Sequence, residues 1–301
     1  MDRLEAMTIL LRVVDRGSFS AASRDLGVPL ATVSRKVNEL EEHLGTRLLV
    51  RTTRKVALTD AGATYVASAR RILDEIDETE RVAAGEFNVP RGELILTAPV
   101  FFGRLHVLPI VTEFLTACPE INVRLLLSDR NLHLIDDHVD MAVRIGSLPD
   151  STMIATRVGS MRTVVCASPK LLAGQGVPKS PEDVAGLPCV NFEFLYPALS
   201  WPFRSKDAKG VIEAPIRPRL SVTTAEAAVW AASEGIGATR VLHYQCADAV
   251  CEGSLRIILA DFEVQPLPVH LLHAGRGALP MKTRFFLDFA SHRLRERLSS
   301  L

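Results

Sequence analysis

Ala31, Thr32, Ser34, Arg35 and Lys36 form the outward side of a helical repeat whose opposite side carries Val33, Val37 and Leu40. Short hydroxyls and cations at that spacing suit hydrogen bonds to base edges and contacts with phosphates, because none is bulky enough to keep a helix out of a groove. A basic cluster follows. Between His43 and Leu58 the chain carries Arg47, Arg51, Arg54 and Lys55 and no acidic residue. Such a cluster would straddle backbone phosphates and make binding strongly salt-dependent. The same pattern also fits a generic three-helix module with a solvated basic face, and helical periodicity alone leaves both readings open.

Catalytic spacings are poor. The chain has no G-x-S-x-G and no H-E-x-x-H. His133-Leu134-Ile135-Asp136-Asp137-His138 gathers metal-ligand types, but it reads as a helix with a solvated polar side, so no metal is expected. Gly235-Ile236-Gly237 lacks the third glycine of a dinucleotide loop and reads as a helix-to-strand turn. No cofactor is expected. Cys118, Cys166, Cys189, Cys246 and Cys251 include no C-x-x-C pair, and their odd count fits a reducing cytosol better than a disulfide framework. Cys189, or Cys246 with Cys251, could sense oxidation, although a buried structural thiol is the commoner case.

The elements that must position the basic face occupy the first sixty residues. Leu4, Met7, Leu11 and Val14 predict a first helix with one apolar side. Arg16-Gly17-Ser18 ends it, and Ser18 can cap a second helix carrying Phe19, Ala22 and Leu26 on one side. Gly27 supplies a tight turn, and Pro29 is tolerated in the first turn of the third helix, whose buried stripe reads Val33, Val37, Leu40 and Leu44. Gly45 stops that helix. Arg47-Leu48-Leu49-Val50-Arg51 and Lys55-Val56-Ala57-Leu58 predict two short strands around Thr52-Thr53-Arg54. A long helix runs from Thr59-Asp60 to about Glu86, roughly 40 Å at ~1.5 Å per residue. Its Val66, Ala69, Leu73, Ile76 and Ala83 repeat at heptad-like intervals and would be exposed in a lone chain, so pairing with a second copy is expected. After a linker at Asn88-Val89-Pro90-Arg91-Gly92, strand and helix patterns alternate: Leu94 to Ala98, a helix from about Gly103 to Ala117, then Ile121 to Leu127. That alternation predicts α/β layers with mainly parallel sheet.

Several segments carry a family resemblance. Gly17-Ser18-Phe19-Ser20-Ala21-Ala22-Ser23, Leu26-Gly27-Val28, Thr32-Val33-Ser34-Arg35 and Leu40-Glu41-Glu42-His43-Leu44-Gly45 resemble the signature of LysR-type transcriptional regulators. Arg47-Leu48-Leu49-Val50-Arg51 and Leu58-Thr59-Asp60-Ala61-Gly62 continue it in the same order. The likeness is dense over residues 1–66 and looser towards the C-terminus. It implies a winged helix-turn-helix DNA-binding domain at 1–58, a linker dimerisation helix and hinge at 59–91, and an effector-binding domain at 92–301. That last domain would be two periplasmic-binding-protein-like α/β subdomains, I from 92–162 with 269–301 and II from 163–268. The resemblance implies homodimers or homotetramers on inverted-repeat operators in double-stranded DNA, a small-molecule effector, and no catalysis; RNA polymerase is a further candidate partner. Ser34, Arg35, Arg51 and Arg54 match DNA-contacting positions of the family, and Ser20, Pro29, Leu30, Ala31, Thr32 and Lys36 complete the candidate set. Leu30 departs from the pattern, since many members carry a polar residue, often Gln, there. It cannot read a base by hydrogen bonds, though it could pack on a thymine methyl.

Effectors of such folds sit between the subdomains, where strand ends and helix N-termini offer oriented N–H groups. Thr97-Ala98-Pro99-Val100-Phe101-Phe102-Gly103 occupies the first strand-to-helix loop, a family effector site; Arg144 and Ile145 in 141–146 and Thr223 in 222–226 match two others. The first loop is apolar where many members have Ser or Thr, which suggests an aromatic or partly apolar ligand. Phe101 and Phe102 fit a core role equally well. Arg144 either grips an anion through its guanidinium or serves as a structural ion-pair partner.

With 35 Lys+Arg against 35 Asp+Glu the chain is neutral, so any basic surface is local. Its 48% hydrophobic and 23% charged residues fit an ordinary globular protein. The start Met1-Asp2-Arg3-Leu4-Glu5 is unlike a signal peptide and no apolar run looks long enough to span a bilayer, so a cytoplasmic location is expected. Two other readings stay open: a thiol-based redox regulator of the same fold, and an α/β enzyme or solute-binding protein with an accessory helical domain.

Overall fold

The computed structural model describes residues 2–51, 56–83, 89–130, 134, 137–148, 152–193, 199–205, 210–275 and 279–299. The chain divides into two compact units, Met1–Gly92 and Glu93–Leu301.

In the first unit, α1 (Arg3–Arg16) starts where the Asp2 carboxylate accepts from the N–H groups of Leu4 and Glu5. The hydroxyl of Ser18 caps α2 (Phe19–Leu26), and Gly27, at φ 67°, adopts the left-handed turn that brings in α3 (Leu30–Leu44). Pro29 stands at the N-cap of α3, one residue ahead of the helix. Strands β1 (Leu49–Arg51) and β2 (Val56–Leu58) pair antiparallel, Leu49 opposite Leu58, and α4 (Asp60–Ala83) follows. Gly62 is required: a Cβ there would run into the Leu48 carbonyl, where α4 passes over the entry to β1.

The core of this unit is Ala6, Ile9, Leu10, Val13, Ala22, Val33, Val37, Leu40, Leu48, Leu49 and Val66. Three expectations need correction. The buried side of α1 is Ala6/Ile9/Leu10/Val13; Leu11 and Val14 pack at its border and Leu4 is exposed. Apolar residues at 6, 7, 9, 10, 11, 13 and 14 make two overlapping stripes, between which periodicity cannot choose. Leu44 is exposed, because α3 ends there and Gly45 turns the chain away. Of the α4 stripe, Val66 and Ala69 are already buried in the chain's own fold, while Ile72 is exposed and Leu73 and Ile76 are half-buried. The side chain of Ala83 lies outside the described residues.

In the second unit β3 (Gly92–Ala98) leads into α5 (Val100–Phe102), a π-helical turn (Gly103–Val107) and α6 (Leu108–Ala117). Then come β4 (Ile121–Leu127), β5 (Met141–Ile145), β6 (Met153–Met161), β7 (Thr163–Ala167), α7 (Pro169–Gln175) and β8 (Pro188–Phe192). The hairpin β9 (Ser200–Arg204) and β10 (Val211–Pro215) precedes β11 (Arg217–Val222), α8 (Ala225–Ser233), β12 (Ala238–Leu242) and α9 (His243–Cys251). The unit ends with β13 (Arg256–Ile258), β14 (Leu267–Ala274) and α10 (Met281–Ser299). Two five-stranded sheets result, ordered β4-β3-β5-β14-β6 and β11-β8-β12-β7-β13.

The sheets are mixed, which corrects the expectation of mainly parallel pairing. β3 runs parallel to β5, and β8 to both β11 and β12, but β14 is antiparallel to β5 and β6, and β7 to β12 and β13. The reason is the crossing. β7 and β14 are the strands that enter each sheet from the other, so they start at the junction where the parallel strands end. Accordingly Gly146, after β5, donates to the Pro268 carbonyl in β14, and His243, after β12, donates to the Arg162 carbonyl on the crossing.

Phe102, Ile110, Val111 and Phe114 pack with Phe286, Ala290 and Leu294 of α10 against the first sheet. The continuous stretch Val100–Ala117 is long and apolar enough, by length and composition, to cross a membrane, contrary to the expectation that no run reaches that length. Within it Phe102, Val107, Ile110, Val111 and Phe114 are buried in this core, while Val100 and Leu108 are exposed. Gly235 (φ 84°) and Gly237 carry α8 into β12, as expected, and a Cβ at 237 would clash with the backbone of Pro188 and Cys189.

Candidate nucleic-acid interface and effector site

The outward side of α3 is set by its buried stripe. With Val33, Val37 and Leu40 in the core, Leu30, Ala31 and Arg35 are exposed and Thr32 and Ser34 half-exposed. Ser20 and Pro29 are exposed beside them. Arg35 keeps 60% of its side chain in solvent and pairs with Glu39 one turn on, Nη1 to Oε1 2.8 Å. Such a pair is worth only a few tenths of a kcal/mol, so it orients the guanidinium without sequestering it. Lys36 differs. Its side chain is only 14% exposed and its ammonium is paired with Glu5 of α1. The side chain of Arg51 and the whole of Arg54 lie outside the described residues.

Glu41 anchors the strand pair to α3, a role its place in the sequence did not disclose. It is 4% exposed; its Oε1 accepts from the backbone N–H of Leu48 (2.8 Å) and Leu49 (3.0 Å), and Oε2 meets Arg47 Nη1 at 3.3 Å. The Thr59 hydroxyl donates to the Arg47 carbonyl at 2.8 Å and accepts from Gly62 N–H at 2.9 Å, locking α4 to the same edge.

Of the effector candidates, Thr97, Ala98 and Phe102 are enclosed. The Thr97 hydroxyl donates to the Leu126 carbonyl, and Phe102 is fully buried. Pro99 is half-buried, and Val100 is exposed with its N–H donating to Asp129 Oδ1 at 3.0 Å. Phe101 lies half-buried against Tyr244 of α9, ring centroids 5.8 Å apart, beneath the Arg104 guanidinium at 4.9 Å. The pairing of Leu96 with Met141 and Thr97 with Ala142 puts Arg144 level with Pro99 at neighbouring strand ends. Arg144 and Ile145 are half-buried, and burial lowers the Arg144 pKa. Thr223 is exposed, and three residues on Glu226 meets Arg104 at 3.3 Å, so the structure brings the first loop and the 222–226 turn face to face.

Sequence reasoning placed Glu226 within the matched 222–226 segment but missed Tyr244, His106 and Arg104. Tyr244, buried at the start of α9, packs on Phe101, Phe102 and His106, and burial pushes its phenol pKa up. His106, on the π-helical turn, has a buried Nε2 with no hydrogen-bond partner among the described residues; burial first, then Arg297, lowers its pKa. The one available signal was position, since Tyr244 follows a strand end as the matched loops do.

Among the described residues no group of three or more His, Cys, Asp or Glu side chains could hold a metal. His133, Ile135 and Asp136 lie outside the described residues; Asp137 and His138 sit in a turn, His138 at φ 54°, where a helix was expected. Cys189 is buried, its pKa pushed up to about 12, and Cys251 is exposed. The thiol that Cys246 meets is that of Cys166, which their mutual hydrogen bond and then burial hold well above the usual thiol range.

Comparison with known proteins agrees with this architecture. The family described as "Bacterial regulatory helix-turn-helix protein, lysR family" matches residues 4–63, and "LysR substrate binding domain" matches residues 87–295. An HTH-type transcriptional regulator of Xanthomonas campestris pv. campestris (strain 8004) is 35% identical over 290 residues, 95% of this chain and 84% of that protein. The HTH-type transcriptional regulator CrgA of Neisseria meningitidis serogroup C (strain 8013) is 34% identical over 298 residues, 98% of each chain. The solved structure of CrgA from Neisseria meningitidis, a LysR-type transcriptional regulator, superposes with a TM-score of 0.61 at 31% identity, covering 96% of this chain and 98% of that one. The chain belongs to the LysR family of HTH-type transcriptional regulators, with a helix-turn-helix DNA-binding domain followed by a two-subdomain α/β effector-binding domain.

Proposed function

We propose that this regulator inserts α3 into the major groove of each half of an inverted-repeat operator, with Leu30, Ala31, Thr32, Ser34 and Arg35 against the base edges. Ser20 and Pro29 lie beside the backbone, and Arg51 and Arg54 clamp the flanking phosphates. Lys36 reaches a phosphate only when released from Glu5. The observation that carries this reading is the split of α3 into a buried Val33/Val37/Leu40 side and a solvent-facing side of small, hydroxyl and basic residues. Residues 1–58 are the DNA-binding domain, 59–91 the linker and 92–301 the effector domain.

Two copies pair through the outer half of α4, where Ile72, Leu73 and Ile76 keep apolar surface that the chain's own core does not cover. A small, partly apolar anion binds near Arg144, Phe101 and Thr223 and shifts the population between two subdomain arrangements, without turnover and in the cytoplasm. The test is a mobility-shift titration of the purified protein on its adjoining intergenic DNA against a scrambled duplex, across a salt series. Specific binding whose affinity falls steeply with salt is expected. Equal, weak binding to both duplexes at physiological ionic strength refutes the reading.

A further inference from the structure

The leading turn of α3 is apolar and uncommitted to the fold. Pro29, Leu30 and Ala31 are all exposed, and Leu30 leaves 45% of its surface in water although Val28, Val33 and Val37 pack around the core close by. None of the three carries a hydrogen-bonding side chain, and Pro29 provides no side-chain cap. The charges of α3 lie further on: Arg35 is oriented by Glu39 and Lys36 is drawn to Glu5. The part of a recognition helix that reaches base edges is its N-terminal turn. In the major groove the apolar feature a base edge offers is the C5 methyl of thymine, whereas the amino groups of cytosine and adenine would lose water beneath Leu30 and gain no acceptor.

We infer that Leu30 is a specificity-determining residue that packs on the C5 methyl of a 5-methylpyrimidine, ordinarily thymine, in each operator half-site. This rests on the placement of α3 in the major groove proposed above. Discrimination comes from a buried methyl and from rejection of unsatisfied polar edges, in place of hydrogen-bond readout.

The test starts from a duplex selected by the full-length protein out of a random-sequence pool at physiological ionic strength. Each thymine of that duplex is then replaced singly by deoxyuridine, which deletes only the C5 methyl. One thymine per half-site is expected at which the swap weakens binding about fourfold, the effect of one buried methyl-sized group, and about fifteenfold when both half-sites are changed. Leu30→Ala binds thymine and uracil duplexes alike, and Leu30→Gln likewise loses methyl dependence while keeping salt-dependent binding. With wild-type protein, 5-methylcytosine paired with guanine at that position binds more tightly than unmethylated cytosine. Uracil tolerated at every position, or an undiminished uracil effect in Leu30→Ala, overturns the assignment while leaving the operator reading intact. Failure of the selection to enrich any sequence overturns the operator reading itself.

Discussion

Replacing Glu41 tests how the strand pair is held against α3. Its Oε1 accepts from two buried N–H groups, those of Leu48 and Leu49, while its contact with Arg47 reaches a side chain that is mostly solvent-exposed. Glu41→Ala strands both donors, at about 1–3 kcal/mol each, less whatever water recovers, so a local loss of about 2–4 kcal/mol is expected. Glu41→Gln keeps a neutral oxygen in the same place and is expected to cost about 1–2 kcal/mol, the difference between charged and neutral acceptors. Arg47→Ala removes only the exposed end of the network and should cost no more than about 1 kcal/mol. Native-state amide exchange followed by mass spectrometry over residues 46–50 reads these numbers locally, without assuming that two units unfold together. At about 1.4 kcal/mol per decade, Glu41→Ala should speed exchange of Leu48 and Leu49 roughly 30- to 900-fold, and Arg47→Ala less than about fivefold. Equal acceleration by Glu41→Ala and Arg47→Ala, or none by either, would refute the view that the buried carboxylate is the anchor.

Gly62→Ala should destabilise the first unit by about 2–3 kcal/mol despite alanine's higher helix propensity, because its Cβ meets the Leu48 carbonyl; urea denaturation followed by loss of operator binding checks this. His106, His243 and His270 all have pKa values lowered by burial, so the unfolded chain binds more protons. Stability of the second unit should therefore be fully present above about pH 6.5 and fall as pH drops below it; a urea midpoint that is flat from pH 7.5 to 5.5, or a slope unchanged in His106→Leu, contradicts this. Arg104→Ala should cost under about 1 kcal/mol in stability, since both partners of its pair with Glu226 are more than half exposed, and a larger drop in the thermal midpoint of the second unit than about 4 °C would show the contact to be structural.

The helix-turn-helix was legible because each of its signals has one physical meaning. Ser18 caps, Gly27 turns left-handed, and Val33/Val37/Leu40 at helical spacing can face only one way. The α1 stripe was not, because seven apolar residues within nine positions satisfy two helical faces, and neighbouring helices decide between them. Nor could periodicity show that Val66 and Ala69 are consumed by the chain's own core; that depends on Gly62 letting α4 close over β1. Strand direction was misread for the same kind of reason. β7 and β14 look like any buried apolar strand, and only the crossing at Arg162 and its return before β14 reverses them. At the candidate effector site the sequence named loops but not the side chains that pack on them. Tyr244 and His106 matter through contacts across more than a hundred residues of chain, which no local spacing encodes.

Those contacts also rank the bonds that join the two sheets of the second unit. At the crossings, Arg162 grips Glu263 with two bonds of 2.9 and 3.0 Å, one residue on the outgoing connection and the other on the return, and Glu263 is largely shielded. His243 adds its N–H to the Arg162 carbonyl, so the turn into α9 is tied to the same point. At the rim, by contrast, the links among the described residues include the solvent-exposed Arg104–Glu226 pair at 3.3 Å and the packing of Tyr244 on Phe101, Phe102 and His106. An exposed pair contributes at most about 1 kcal/mol, and an aromatic contact about 0.5–1.5 kcal/mol beyond its buried area. A bidentate, partly shielded pair anchored in both connections is the stronger restraint. The crossing is thus held by a shielded ion pair, and the rim by an exposed one together with the ring contacts of Tyr244. Rim contacts of that size are within the differential affinity that one small molecule can supply, which is the energetic condition for a ligand to choose between two arrangements.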